Sequence, residues 1–232
     1  MSLIVAVKDN ERIVIGSDKQ ASANGNKEHN ATKIWEIDEL PGAIMGSIGS
    51  VRASQIIQYA NIIDKNAINN EVDTSFVVCS LVPVIAGGLK ANGIVLKNEE
   101  TSCDTMPNAF VFAYKDRAWM IWHDFSVSEI EDYLVLGSGS DVARGALFAT
   151  KDENPFDRIV TAIDAAATSD LYVDNGVDIL ATEYYKEDKD AIANALGIEL
   201  EEEKQEEKPP VEEKPKEAPK KAPKKKKKEE NK

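Results

Sequence analysis

Residues Leu3 to Val7 are apolar without a break, and that run restricts the possible folds more than any other feature of the chain. A strand with one face in water alternates apolar and polar side chains. A strand apolar at every position is covered on both faces, so it belongs inside a layered structure. Asp9-Asn10 supplies turn chemistry, and Arg12 to Ile15 reads as the returning strand of a hairpin.

The rest of the pattern extends this start. A polar loop, Ser22 to Asn30, is followed by expected strands at Thr32 to Ile37 and Gly42 to Ile48, with a turn at Leu40-Pro41. Val51, Ile56, Ile57, Ala60 and Ile63 recur at helical spacing. A second helical region runs from Thr74 to Ala91, where Pro83 is expected to kink or split it. Strands follow at Ala109 to Tyr114, Ala118 to His123 and Tyr133 to Leu136. Helices return at Asp141 to Thr150 and Pro155 to Ser169, then a strand at Val177 to Thr182 and a short helix at Asp188 to Ala195. Strands broken by two helix pairs indicate an α+β fold in which two sheets pack together with helices outside. A four-layer αββα arrangement is one solution among several.

The composition changes near Gly197. From Glu201 to Lys232 nearly every residue is Glu, Lys, Pro or Ala, acidic first and basic from Lys224 to Lys228. Such a segment cannot bury enough apolar surface to offset its ordering entropy. The expected division is a globular domain at 1–199 and a disordered tail at 200–232. The tail reads as a solubilising segment or as a tether for an acidic partner.

Several functions conflict with the composition. A net charge of −13 over 232 residues argues against non-specific nucleic-acid binding. Cys79 and Cys103 make no disulfide framework and fit a reducing compartment. No stretch is expected to approach the roughly 20 apolar residues that cross a bilayer. The start Met1-Ser2-Leu3-Ile4-Val5 has no basic n-region, so cytoplasm is the expected compartment. His29 and His123 stand apart from other metal ligands, and no phosphate-cradling glycine loop occurs. Neither a metal nor a cofactor is expected. Trp35, Trp119 and Trp122 are placed in strands as core or interface residues.

The segment Ser2-Leu3-Ile4-Val5-Ala6-Val7, followed by Ile13-Val14-Ile15-Gly16-Ser17-Asp18-Lys19-Gln20-Ala21-Ser22, resembles the opening of proteasome β-subunits and, more closely, of the bacterial HslV peptidase. Thr32-Lys33-Ile34, Gly46-Ser47-Ile48-Gly49-Ser50 and Leu136-Gly137-Ser138-Gly139-Ser140 follow in the family's order, and Asp170 resembles a further family Asp. The likeness covers roughly residues 2 to 182 and implies a four-layer N-terminal-nucleophile hydrolase. The chain departs from the family pattern in three places. Ser2 stands where those proteases usually carry Thr, Val173 where proteasomal members have Ser, and Ser50-Val51-Arg52-Ala53 replaces a Gly-Ala-Ala-Asp-like turn.

An alcohol needs a base to become a nucleophile at neutral pH. A chain-terminal residue has one in its own α-amino group, whose pKa of about 7.7–8.0 lies near working pH. Removal of Met1 would expose Ser2 in this form. The resemblance implies Lys33 as a fixed cation beside the nucleophile, Asp18 as its partner, and Gly49 as an oxyanion donor. It places Ser138 and Asp170 beside the Ser2 amine, and it builds the substrate pocket from Gln20, Ala21, Ser22, Ser47 and Val51, with modest specificity for apolar side chains. The implied activity is an endopeptidase of the threonine/serine type acting on protein or peptide substrates. The implied assembly is a homo-oligomeric ring fed by a separate ATPase unfoldase. Two alternatives stay open: an inactive structural subunit, and an amidohydrolase or transpeptidase relative.

Overall fold

The computed structural model describes residues 2–23, 26–64, 68, 71–97 and 103–198. The expected tail at 200–232, and Met1 itself, lie outside the described residues. The hairpin expected at the start is present as β1 (Leu3–Asp9) and β2 (Arg12–Asp18), with Val5 opposite Gly16. Its turn places Asn10 at φ 54°, a left-handed conformation that Asn tolerates well. All seven residues of β2 are buried. The expected loop after it contains a small hairpin, β3 (Ala21–Ala23) and β4 (Asn26–Glu28).

Next come β5 (Ile34–Glu36), β6 (Ala43–Ile48) and α1 (Val51–Gln58). A helical run then combines α2 (Thr74–Phe76), a π turn (Val77–Leu81) and α3 (Val82–Ala91). After it lie β7 (Leu96–Lys97), β8 (Asp104–Thr105), β9 (Ala109–Tyr114), β10 (Arg117–Ile121), β11 (Val127–Glu129) and β12 (Tyr133–Gly137). The last elements are α4 (Ser140–Ala149), α5 (Pro155–Ala167), β13 (Val177–Ala181) and α6 (Asp188–Leu196).

Two sheets carry the fold. One has the order β12-β1-β2-β13 and the other β11-β10-β9-β6-β5. Three apolar clusters follow from the alternation of side chains along these strands. Ile4, Ala6, Ile13 and Ile15 of the first sheet meet Ile44, Val111 and Met120 of the second. The opposite-facing Leu3, Val5, Val7 and Val14 pack on Leu147, Phe156, Ile159 and Ile163 of α4 and α5. Met45, Phe110, Phe112 and Trp119 pack on Ile57, Val77, Leu81 and Ile85 of the other helices. The unbroken apolar run of β1 is therefore used on both faces.

Several expectations need correction. The helix expected to reach Ile63 ends at Gln58, and Ile62 and Ile63 reach the core from an irregular segment. Their spacing reflects burial without helix. The run expected to kink or split at Pro83 divides just before it, where the π turn ends at Leu81 and α3 begins at Val82. The π turn before it lets the Val82 N–H reach Val77 O, so the proline falls at the start of α3, where its missing donor costs little. The run Thr74–Ala91 spans 18 residues with a hydropathy of 1.6, enough in length and composition to cross a membrane. No charged residue lies between Asp73 and Lys90, a feature the expectation about bilayer spans overlooked. One face of this run, including Phe76, Leu81 and Leu89, is packed in the core. β7, β8 and β11 were not expected. Trp122 lies just beyond β10 and is exposed, whereas Trp35 and Trp119 are buried.

Candidate active site

Asp18 ends β2 with its side chain wholly buried. Its Oδ1 accepts the Lys33 Nζ at 2.5 Å and the Leu3 N–H at 2.7 Å, and its Oδ2 accepts the Gln20 N–H at 3.1 Å. Lys33 precedes β5, and its carbonyl accepts the Ser47 N–H at 2.9 Å. One ion pair thus ties the last residue of β2 to the start of β5 and holds the backbone next to Ser2. Burial pushes both groups toward their neutral forms, Lys33 downward and Asp18 upward. Their mutual attraction and the backbone donors on Asp18 oppose this.

Ser2 is held from the other side by the turn after β12. Its carbonyl accepts the Ser138 N–H at 2.9 Å. Gly137 has φ 106°, and a Cβ there would stand 1.8 Å from Ser2 O, so only glycine permits this approach. The Gly-Ser-Gly element positions Ser2 through its backbone.

Gly49 links β6 to α1 with φ 113°, and a Cβ would stand 2.2 Å from Pro107 O. Ser50 caps α1 by accepting the Ala53 N–H on its side chain. Beneath this turn lies Asn108, a buried residue bonded to Ser47, Ser50 and Ser54.

A cavity of about 310 Å³ brings together Ser2, Ala21, Lys33, Ser47, Gly49 and Val51. Ser54, Gln55 and Gln58 of α1 complete one wall, and Glu28 of β4 reaches another. The lining mixes polar side chains with Ala21, Ala31, Val51 and Tyr59. Asp18 lies behind Lys33 and does not line the cavity. Gln20 and Ser22 do not line it either. The Gln20 Nε2 donates to Ser22 Oγ at 2.9 Å and to Leu171 O at 2.9 Å. Ser138 and Asp170 also lie off the cavity lining. The Asp170 Oδ1 accepts the Tyr172 N–H at 2.8 Å, and its Cβ would lie 3.5 Å from a Cβ placed on Gly139.

The sequence reading missed Asn108, Ser54, Gln55, Gln58 and Glu28. The three α1 residues carried a signal, since 51, 54, 55 and 58 share a helical face with Val51. Asn108 carried none, because its partners lie more than fifty residues away in sequence. Among the described residues no group of three His, Cys, Asp or Glu side chains could hold a metal.

No known family's sequence profile matches the chain, and no curated protein matches it in sequence. Solved structures do match. BPH from Thiobacillus denitrificans, in complex with epoxomicin, superposes with a TM-score of 0.63 at 20% identity, over 79% of this chain and 99% of that one. Eukaryotic HslV from Trypanosoma brucei gives 0.54 at 16% identity, over 77% and 98%. Anbu, an ancestral β-subunit from Yersinia bercovieri, gives 0.58 at 12% identity, over 77% and 80%. At these identities the likeness establishes a shared fold alone: the chain has the α+β architecture of these three proteins.

Proposed function

We propose that the chain is a proteasome-like peptidase in which Ser2, freed by removal of Met1, is both nucleophile and base. The observation that carries this reading is the meeting of Ser2, Lys33 and Gly49 around one cavity, with Lys33 pinned by an Asp18 that also grips the Leu3 N–H. The Ser2 amine takes the hydroxyl proton as Oγ bonds to the scissile carbonyl carbon. The carbonyl oxygen becomes an oxyanion facing the Gly49 N–H. Collapse breaks the C–N bond, the proton passes to the leaving amine, and an ester remains on Ser2. Water then attacks that ester with the same amine as base, releasing the acid. The Lys33 cation disfavours protonation of the amine and steadies the alkoxide.

The three apolar clusters support a four-layer reading, with helices, sheet, sheet and helices in turn. We extend the proposal to a homo-oligomer in the cytoplasm that acts on peptides or unfolded protein delivered by a separate ATPase. A structural, inactive subunit is the second reading. It is favoured by Val173, an apolar residue packed in the core at the position where proteasomal members of the family it resembles carry Ser.

Internally quenched peptides, with product masses recorded, separate the readings. The proposal expects hydrolysis that falls about 10³-fold or more in Ser2→Ala. Hydrolysis that survives Ser2→Ala would remove Ser2 from the mechanism. Absence of turnover in the wild type would favour the structural reading, and products joined to an added amine would indicate transfer.

A further inference from the structure

We infer that Asn108 is the positioning residue that aims the Gly49 N–H; this rests on the proposed role of Gly49 as oxyanion donor. Asn108 stands just before β9, and the register that pairs Ile48 with Ala109 brings it across from Gly49. Only 2% of it is exposed. Its Oδ1 accepts the Ser50 N–H at 3.1 Å. Its Nδ2 donates to Ser50 O at 3.1 Å, to Ser47 Oγ at 2.9 Å and to Ser54 Oγ at 3.2 Å.

These bonds determine the orientation of the amide. A flipped side chain would set Nδ2 against an N–H and Oδ1 against a carbonyl, so only one orientation satisfies Ser50 on both sides. The bonds also bracket Gly49. They fix Ser47 two residues before it and both backbone groups of the residue after it. The Ser54 Oγ reinforces the bracket by donating to Ser47 Oγ at 3.0 Å and to Ser50 O at 3.1 Å. Gly49 itself is pressed against Pro107 O and the Asn108 Cα, the nearest atoms to any Cβ it could carry. A glycine unconstrained on both sides could rotate its N–H away from a developing charge. Here the neighbouring groups are fixed before substrate arrives, and donors fixed in advance stabilise an oxyanion without a reorganisation cost.

A residue that merely stabilises the turn would affect all ligands alike. A positioning residue affects the tetrahedral state selectively. The test compares a peptide aldehyde, which forms a tetrahedral adduct at Ser2, with the peptide alcohol of the same sequence, which does not. Both are titrated into the full-length protein, as wild type, Asn108→Asp and Asn108→Ala. Asn108→Asp keeps an acceptor for the Ser50 N–H but sets an oxygen against Ser50 O. The preference for aldehyde over alcohol is expected to fall about tenfold or more in both variants, while alcohol affinity stays within about twofold. Equal losses for both ligands, or no loss, would overturn the inference.

Hydrogen exchange on the wild type needs neither catalysis nor a variant. The Ser50 amide lies at the start of α1 without an intrahelical acceptor, so slow exchange there requires Asn108. Fast exchange at Ser50 would overturn the clamp. If the wild type binds aldehyde no better than alcohol, the Ser2 mechanism fails, and exchange at Ser50 still decides whether Asn108 holds the turn.

Discussion

Ser2 is set in place by contacts that are individually ordinary. Asp18 accepts the Leu3 N–H, the Ser138 N–H donates to the Ser2 carbonyl, and Gly137 leaves room for the two segments to approach. Gly49, like Gly137, is an exacting position, because its φ of 113° and the 2.2 Å approach to Pro107 O both exclude a side chain. Gly49→Ala is expected to destabilise the protein by about 1–3 kcal/mol and to abolish turnover. Thermal unfolding beside a peptide assay checks both, and an unchanged melting temperature would contradict the strain argument. Ser2, Asp18 and Lys33 were named through the resemblance of residues 2–22 and 32–34 to a known family, and strand pattern alone would not have singled them out. The buried state of Gln20 was not legible, since its bond to Leu171 O depends on a chain segment 151 residues away.

Among the elements, strands placed by apolar runs were the most readable, and β1, β9 and β13 fall where the pattern puts them. Short edge pieces such as β11 were not. Val127–Glu129 carries little apolar pattern and is defined by its pairing with β10, to which side-chain bonding across to the helix that begins at Thr74 is added. Arg117 donates to both Glu129 oxygens, at 2.7 and 2.8 Å, and Thr74 Oγ1 donates to Glu129 at 2.6 Å while accepting the Trp119 Nε1–H at 2.9 Å. The Arg117 guanidinium, helped by Thr74, holds the Glu129 carboxyl down to about 2 from its ordinary 4.5. A depressed carboxylate pKa gives stability that is complete above the unfolded value and is lost as pH falls through the folded value. Glu129→Gln is therefore expected to flatten the loss of stability between about pH 4.5 and pH 2. Urea midpoints followed across that window check this, and parallel curves for the two proteins would contradict it. Glu129 is partly exposed, so added salt should shrink the difference.

At the scale of the whole molecule, the site depends on both sheets being packed together. Asp18 comes from the end of one sheet, while Lys33, Ser47 and Gly49 belong to the margin of the other. The apolar cluster between the sheets, with Ile4, Ile15, Ile44 and Val111, sets their spacing. The order of strands and helices made this architecture readable, because an apolar strand such as β1 needs cover on both faces. The full lining of the cavity was less readable, since it combines an α1 face and a β4 edge that meet only in the folded chain. The central claim is that Ser2 acts with its own amine. It is tested most directly by intact-mass and N-terminal peptide analysis of the protein after exposure to a peptidyl electrophile, with Ser2→Ala alongside. The account predicts an N-terminal peptide that begins at Ser2, carries one adduct, and is unmodified in the variant. A retained Met1 with no adduct on Ser2, or equal labelling of Ser2→Ala, would contradict it.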